Sequence, residues 1–216
     1  MDTIIIDGLS FALPLFIIAI GGIYSEKSGI TNLALEGFQG FGAFTGALAA
    51  VLIANALGTD IQNLFYVALL FAMLGGMAFS VIHAVLSIKF KADQVISGVV
   101  INILALALTT FLTTQINSLV FGTASDKFQL GVSQRFTIEW LADIPVIGAI
   151  FTNVYPFEVI IVVIAVFAWY LLYKTRYGMR LRACGENPHS VDTAGVDVAK
   201  IRFSAVLISG LLSGLG

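Results

Sequence analysis

Two polar side chains in apolar surroundings are the strongest candidates in this sequence for contact with a polar solute. Glu36 lies in a glycine-bounded break, Ser28–Gly37, between two apolar stretches, and Asn102 lies deep in a later one. Interrupted helices expose free N–H groups at membrane depth, and a carboxylate in lipid is costly unless it is paired or hydrated. Two structural alternatives stay open: an ion pair between Glu36 and Lys27, and a hydrogen bond from Asn102 to a neighbouring helix. In the same break, Asn32 can cap the helix that follows.

Residue sets for covalent or metal chemistry are missing from the sequence. It contains no Ser-His-Asp set, no HExxH and no GxSxG, and His189 stands alone in a loop. His83 has no further ligand at metal-binding spacing, so we expect a structural hydrogen bond there and no metal site. The stretch from Gly21 to Ser28 resembles a phosphate-binding loop, but glutamate replaces its second glycine and an apolar helix precedes it. We therefore expect neither an enzyme nor ATP binding through this segment.

The composition indicates that lipid is the main solvent of this chain. Of its 216 residues, 58% are hydrophobic and 11% are charged, and the mean hydropathy is +0.97. A soluble domain carries about 25% charged residues, so this chain has too few to cover a water-facing surface. The formal net charge of −2 supplies no basic field for nucleic acid. The one cysteine, Cys184, excludes an intramolecular disulfide and a cysteine-based zinc site.

Long apolar stretches predict an all-α, polytopic membrane protein with one domain over residues 1–216. A spanning α-helix needs about 20 mostly apolar residues, and these stretches lack the period-2 alternation of barrel strands. Five complete spans are predicted: Gly8–Ser25, Gly37–Thr59, Ile61–Ile88, Gln94–Ser125 and Pro156–Tyr173. A sixth stretch, Phe203–Gly216, has 14 residues and stops inside apolar sequence, so we expect a partial sixth span in a C-terminally truncated chain.

Glycine pairs within the apolar stretches predict close helix packing. Gly42-x-x-x-Gly46 and Gly210-x-x-x-Gly214 follow the small-residue pattern of helix interfaces in membranes. The alternative is a helix seam that slides when the protein changes state.

The basic residues predict the orientation, because cytoplasmic loops carry an excess of Lys and Arg. The loop Lys174–Arg202 carries six of the eleven basic residues. When it is cytoplasmic, nine basic residues lie inside and two, Lys127 and Arg135 in the loop Asp126–Tyr155, lie outside. We expect a multi-pass protein of the cell membrane with its N-terminus outside and residues 174–202 in the cytoplasm.

The loop Lys174–Arg202 also contains a predicted short helix. Asn187 followed by Pro188 is a helix-start signal, and Gly195 supplies the stop. The result, His189–Ala194, is about two turns and too short to be stable alone in water. A small apolar surface is available for docking at Val191, Ala194 and Val196. Such a helix fits a cleft of another protein; a solvated basic loop held near anionic lipid is the alternative.

Three motifs resemble those of one transporter family. The first is Gly-x-Asn-Pro, then Ala-Gly-Val, then a Ser-Gly-rich helix, at Gly185, Asn187, Pro188, Ala194, Gly195, Ser209 and Gly210. The segments Gly21–Gly37 and Ala92–Asn102 resemble signatures of nucleoside-type members. Together they make the chain similar to the permease subunits of ABC importers for branched-chain amino acids, ribose-type sugars and nucleosides, the nucleoside type above all.

This resemblance implies a permease subunit that moves solute by alternating access and is itself no enzyme. Its partners would be ABC ATPase subunits that bind the ATP, a second permease subunit, identical or homologous, and a substrate-binding lipoprotein or periplasmic protein. The loop would contain the coupling helix, with contacts to the ATPase from Gly185, Glu186, Asn187, Pro188, Val191, Ala194 and Gly195. The path would be lined by Asn32, Glu36, Phe41 and Asn102. Phe41 could stack on a base or serve as a packing contact.

Two alternatives to nucleoside import stay open. The family also includes permeases for sugars and amino acids, so the solute could be a ribose-type sugar or a branched-chain amino acid. A secondary transporter or channel would need no ATPase, but ion coupling requires ionisable residues within the membrane, and these stretches contain almost none.

Overall fold

The computed structural model describes residues 2–57, 64–122, 124–128 and 155–216. Within these ranges the helices, numbered here in chain order, are α1 (Asp2–Lys27), α2 (Leu35–Leu57), α3 (Phe65–Ala84), which continues as a π-helical turn (Val85–Lys89), α4 (Gln94–Phe121), α5 (Pro156–Lys174), α6 (Arg176–Glu186), α7 (Pro188–Thr193) and α8 (Val198–Leu215). Six of them, α1 to α5 and α8, are long and apolar enough to cross a membrane. The predicted all-α, polytopic fold is confirmed.

The last helix differs from the expected partial span. α8 has 18 residues and begins at Val198, five residues before the predicted apolar stretch. It begins there because Oδ1 of Asp197 accepts a hydrogen bond from Lys200 N at 3.0 Å and so caps the first turn. The first turns of α8 therefore include the basic residues Lys200 and Arg202, which the hydropathy pattern assigned to the loop.

Some predicted features lie outside the described residues. These are Thr59 at the end of the second predicted span, the start of the third at residues 61–63, and most of the loop Asp126–Tyr155 with Arg135.

Helix α8 packs against α1, α2 and α3 through small residues. A Cβ added to Gly42 on α2 would lie 2.7 Å from Cα of Gly214 on α8, and one added to Gly46 would lie 2.6 Å from Ala68 O on α3. A Cβ on Gly210 would collide with Ser80 of α3. These approaches are too close for any larger side chain. The packing predicted for the two glycine pairs is therefore confirmed, and sliding of this seam stays a prediction.

A second core lies between α1, α5, α6 and α8. Its fully buried side chains include Ile17, Tyr24, Ile161 and Leu181. The hydroxyl of Tyr24 donates a hydrogen bond to Ala168 O, so the polar end of this ring is satisfied inside the bundle. This core joins the two ends of the sequence and holds α6 against α1.

Candidate functional site

A tight turn ends α1 and begins the α1–α2 loop, which we define as Ser28–Ala34. Ser25 O accepts hydrogen bonds from Ser28 N at 3.0 Å and from Ile30 N at 3.2 Å. Ser25 Oγ donates to Ile30 O at 2.8 Å. Gly29 has a φ of +88°, a left-handed conformation in which glycine has no steric cost. The loop is thus ordered by its own backbone and by serines that are fully buried.

Asn32 joins the α1–α2 loop to α8 and to the start of α2. Its Oδ1 accepts a hydrogen bond from Ala34 N at 3.0 Å, and its Nδ2 donates to Ser209 Oγ at 2.9 Å. The side chain is 3% exposed. Because α2 begins at Leu35, the first contact is a turn ahead of the helix and not the predicted cap. The second connects residues 177 positions apart, which no local pattern could have indicated.

Asn102 on α4 holds the same loop from the opposite side. Its Nδ2 donates to Leu33 O at 2.8 Å, and its Oδ1 accepts from Gly37 N at 2.8 Å. Both backbone groups precede or begin α2, where an intrahelical partner is missing. A Cβ on Gly37 would lie 2.9 Å from Oδ1 of Asn102, so glycine is required for this approach. The sequence left open a hydrogen bond from Asn102 to a neighbouring helix, and Asn102 forms that bond with Gly37 of α2.

His83 and Gln94 complete the support of the loop at Thr31. Nε2 of His83 lies 3.4 Å from Thr31 O, and Nδ1 lies 3.0 Å from Ser97 Oγ. Because a carbonyl oxygen only accepts, this geometry fits the tautomer with hydrogen on Nε2 and a Ser97 hydroxyl that donates to Nδ1. Oε1 of Gln94 accepts from Thr31 N at 2.7 Å. His83 is fully buried and has the structural role expected from the sequence.

The other two predicted path residues lie on α2 beyond this network. Glu36 is exposed in the first turn, where its negative charge suits the positive end of the helix dipole. Among the described residues it forms no ion pair with Lys27, so the interfacial pair does not explain it. Phe41 stacks on Phe79 of α3, with ring centroids 4.4 Å apart and planes 11° apart. That ring therefore has a packing partner within the chain.

The structure brings Asn32 and Asn102 to one loop, and both side-chain amides form hydrogen bonds with other groups of the protein. Glu36 and Phe41 follow on the next turns of α2. Contact of these four residues with solute stays a prediction. The α1–α2 loop is held by His83 of α3, Asn102 of α4 and Ser209 of α8.

The short helix predicted in the loop Lys174–Arg202 is present as α7. Oδ1 of Asn187 accepts from Ser190 N at 3.1 Å and caps it, with Pro188 in the first turn. Gly195 has a φ of +78° and ends it, with Val196 N donating to Val191 O at 3.2 Å. The start and stop signals thus function as the sequence indicated.

The sequence predicts an apolar docking surface at Val191, Ala194 and Val196, and Val191 is not available on it. Val191 is 8% exposed and faces the chain itself, because α7 contacts α6 and α8. Five of the predicted coupling residues are exposed at the end of α6 and on either side of α7: Gly185, Glu186, Asn187, Ala194 and Gly195. Val191 therefore holds α7 on the bundle, and a partner would meet mainly polar groups and backbone.

The end of α6 packs directly on the end of α1. A Cβ added to Gly185 would collide with Lys27 O and would lie 3.2 Å from Gly29 N. Arg202 on α8 reinforces this junction, since its Nε donates to Ser28 O at 3.0 Å and its Nη2 donates to Cys184 O at 3.2 Å. One guanidinium thus joins α8, the α1–α2 loop and α6.

Sequence reasoning missed four residues of this region: Ser97, Gln94, Arg202 and Ser209. Ser97 lies five residues before Asn102, off its helix face, and hydrogen-bonds His83. The sequence marks Arg202 only as one of six basic residues of the loop Lys174–Arg202. A polar residue within an apolar helix was the available signal for Ser97 and Ser209, but it does not identify the partner.

Comparison with known proteins agrees with this architecture. The family model described as the permease component of the branched-chain amino acid transport system matches residues 4–216. The chain is 41% identical over 209 residues to the guanosine ABC transporter permease protein NupQ of Bacillus subtilis, which covers 96% of this chain and 63% of that protein. It is 38% identical over 222 residues to the nucleoside ABC transporter permease protein NupC of Lactococcus lactis subsp. cremoris, which covers 100% of this chain and 66% of that protein.

More distant similarity extends to the putative glucose ABC transporter permease protein TsgC13 of Haloferax volcanii. That protein is 29% identical over 205 residues, which cover 94% of this chain and 57% of the relative. The chain therefore spans from 57% to 66% of the length of these three relatives. No solved structure matches it. Since the family model covers nearly the whole sequence, the chain belongs to the family of permease components of branched-chain amino acid transport systems.

Proposed function

We propose that this chain forms part of the membrane path of an ATP-driven importer for nucleosides. The observation that carries the proposal is its identity of 41% to a guanosine ABC transporter permease protein and of 38% to a nucleoside ABC transporter permease protein. Both similarities extend over almost all of this chain, including the α1–α2 loop, α4 and the α6–α7 region. The transport reaction itself is the movement of an intact solute, with ATP hydrolysed by separate ATPase subunits.

A second permease subunit is part of the proposal. Bacillus subtilis has another guanosine permease, NupP, to which this chain is 24% identical, against 41% for NupQ. Two unequal permeases described for the same solute suggest a heterodimeric path. We infer that this chain occupies the NupQ-like position and pairs with a homologous subunit. A substrate-binding lipoprotein or periplasmic protein would deliver the solute.

The contacts around Arg202 supply a physical route for coupling. An ATPase that moves α7 also moves α6, because the two helices are in contact. The tight packing of Gly185 on Lys27 and the bonds from Arg202 to Cys184 O and Ser28 O pass that motion to the α1–α2 loop. Packed junctions of this kind shift between discrete arrangements rather than deforming smoothly. The loop would then change the surroundings of Asn32.

Glu36 is the path residue with the clearest chemistry for a nucleoside. Its carboxylate is exposed and accepts hydrogen bonds, and ribose hydroxyls are donors. Asn32 and Asn102 would act differently, since their amides already hold the loop. We infer that they set the shape of the path near Glu36 rather than binding solute alone.

Uptake by cells tests the solute. A strain that lacks the intact gene is compared with the complemented strain for uptake of labelled guanosine, uridine, ribose, glucose and leucine. Selective loss of nucleoside uptake, restored by the intact gene, supports the proposal. Loss of glucose or ribose uptake instead would favour a sugar importer, the second candidate raised by the similarity to TsgC13.

Cysteine labelling tests the orientation and the ATPase contact together. In a Cys184→Ser background, Ser190→Cys on α7 and Asp126→Cys after α4 both introduce thiols at exposed positions. We expect a membrane-impermeant maleimide to label Asp126→Cys in intact cells, and Ser190→Cys only after lysis. Assembly with the ATPase should then protect Ser190→Cys and leave Asp126→Cys reactive. Labelling of Ser190→Cys from outside contradicts the orientation.

A further inference from the structure

A cavity of about 430 Å³ lies beside Ile30 of the α1–α2 loop, and none of the four predicted path residues lines it. Its walls come from the π-helical turn after α3, from the connection into α4 and from the start of α8. Four of its lining residues are polar: Ser87, Lys91, Gln94 and Arg202. The remaining lining residues are aliphatic. It shares Arg202 with the proposed coupling route and Gln94 with the support of the α1–α2 loop, but no ligand in this cavity takes part in the proposed transport of a nucleoside.

The lining has a positive charge. Lys91 and Arg202 contribute two cations, and no carboxylate is among the described residues that line the cavity. The nearest acidic residues in the sequence are occupied at helix starts. Asp93 accepts from Val95 N at 2.9 Å and from Ile96 N at 3.0 Å, and Asp197 pairs with Lys200 at 3.1 Å. Neither carboxylate neutralises the lining cations by a direct ion pair in the described part of the chain.

Three polar side chains that line the cavity have hydrogen-bond donors that the described contacts do not use. Ser87 is 6% exposed, and its hydroxyl has no hydrogen-bond partner among the described residues. Such orphan groups are rare, and each requires an explanation, such as a bound ligand or water. Gln94 uses its Oε1 on Thr31 N, which leaves its amide N–H groups for other partners. Arg202 uses Nε and Nη2, which leaves Nη1.

We propose that this cavity binds a phosphate group, supplied either by the headgroup of an anionic lipid or by free phosphate. A phosphate presents several acceptor oxygens and a negative charge, and Lys and Arg are its usual partners in proteins. The cavity lies at the end of the candidate span Phe65–Lys89 and at the beginnings of Gln94–Val120 and Val198–Leu215. The ends of membrane-spanning helices lie at the depth of the lipid headgroups, where basic residues attract anionic lipid.

The intact purified protein, in detergent, provides the test with two probes. Native mass spectrometry counts bound phosphatidylglycerol and phosphatidylcholine after mixing, because the choline cation of the second lipid opposes the lining charges. Inorganic phosphate is titrated separately, and the unfolding temperature is followed. The variants are Lys91→Gln and Ser87→Ala, and the matched control is Lys89→Gln, an exposed cation that does not line the cavity. Unliganded unfolding temperatures identify any variant that fails to fold.

We expect saturable binding of one probe at this cavity. Lys91→Gln should weaken it at least about tenfold, since it removes a charge-assisted contact, and Ser87→Ala about threefold to tenfold. Lys89→Gln should leave it unchanged. Retention of phosphatidylglycerol without phosphate binding identifies a lipid headgroup, and phosphate binding identifies the free ion. The proposal is overturned if neither probe binds, or if Lys89→Gln weakens binding as much as Lys91→Gln, since the charge of the whole surface would then explain the result.

Discussion

Gly37 at the start of α2 donates its backbone N–H to Oδ1 of Asn102 on α4, at 2.8 Å. The same amide donates to Leu33 O, so one side chain satisfies backbone groups on both sides of the entry to α2. Backbone groups at the start of a helix lack an intrahelical partner, and Asn102 supplies a partner to each of these two. The broken segment before α2 is therefore stable because α4 carries an amide at this position.

Replacing Asn102 by leucine should destabilise the protein measurably. Asn102→Leu leaves Gly37 N and Leu33 O without their partner. Gly37 is buried, and an unsatisfied buried donor costs about 1–3 kcal/mol. We expect a lower unfolding temperature in detergent, followed by tryptophan fluorescence. Ile103→Leu, on the exposed face of the same helix, is the control and should change little. Equal unfolding temperatures for Asn102→Leu and the wild type would contradict the structural role of this amide.

Adding a methyl group at Gly185 should disturb the junction between α6 and α1. Gly185→Ala forces its Cβ against Lys27 O, and overpacking of this kind costs about 1–3 kcal/mol. We expect a lower unfolding temperature and loss of solute uptake in cells, because the proposed coupling route passes through this contact. Gly40→Ala is the matched control: its Cβ meets nothing within 4 Å, and alanine favours the helix by about 1 kcal/mol. Normal uptake by Gly185→Ala at normal expression would contradict the coupling route.

The thiol of Cys184 should be inert in the folded protein. Cys184 is fully buried, and burial raises its pKa, although the charge of Arg202 acts to lower it. Thiolate is the reactive form, so maleimide at neutral pH should modify it only after unfolding, and the rate should rise with pH. Mass spectrometry after timed labelling measures this. The comparison is Ser190→Cys in a Cys184→Ser background, an exposed position; similar rates for the two thiols would refute the burial of Cys184.

The cap of α8 should make stability depend on acid pH. The pKa of Asp197 lies below its ordinary value of 3.8, chiefly because its carboxylate accepts a hydrogen bond from Lys200 N. A lowered folded-state pKa means that the stabilisation is present above the ordinary pKa and is lost as the pH falls through the lowered one. Asp197→Asn retains a capping oxygen but cannot titrate. We expect the unfolding temperature of the wild type to approach that of Asp197→Asn as the pH is lowered below 3.8; a gap that stays constant would contradict this.

The membrane class, the helical fold and most helix positions follow from the sequence alone. An uncharged stretch of about 20 residues forms a helix in lipid, because the helix pairs the N–H and C=O groups of its own backbone. Local signals are equally reliable where the contact is local. Asn187 caps α7 three residues away, and Gly195 ends it with a left-handed φ. Both effects depend only on neighbours in the chain, so residue type and spacing determine them.

The partners of the buried polar residues were decided by the tertiary structure. Asn32 was a plausible cap and a path candidate by type, but its bond to Ser209 depends on the packing of α8 against α1. The sequence predicts that Val191 is part of a docking surface, but in the folded chain its side chain is buried. Arg202 was one positive charge among eleven basic residues, and it becomes a junction because folding brings two carbonyl oxygens to its guanidinium. Hydrophobic pattern sets which helices form, whereas the direction of each polar side chain depends on helix rotation and contact, which involve residues far apart in sequence.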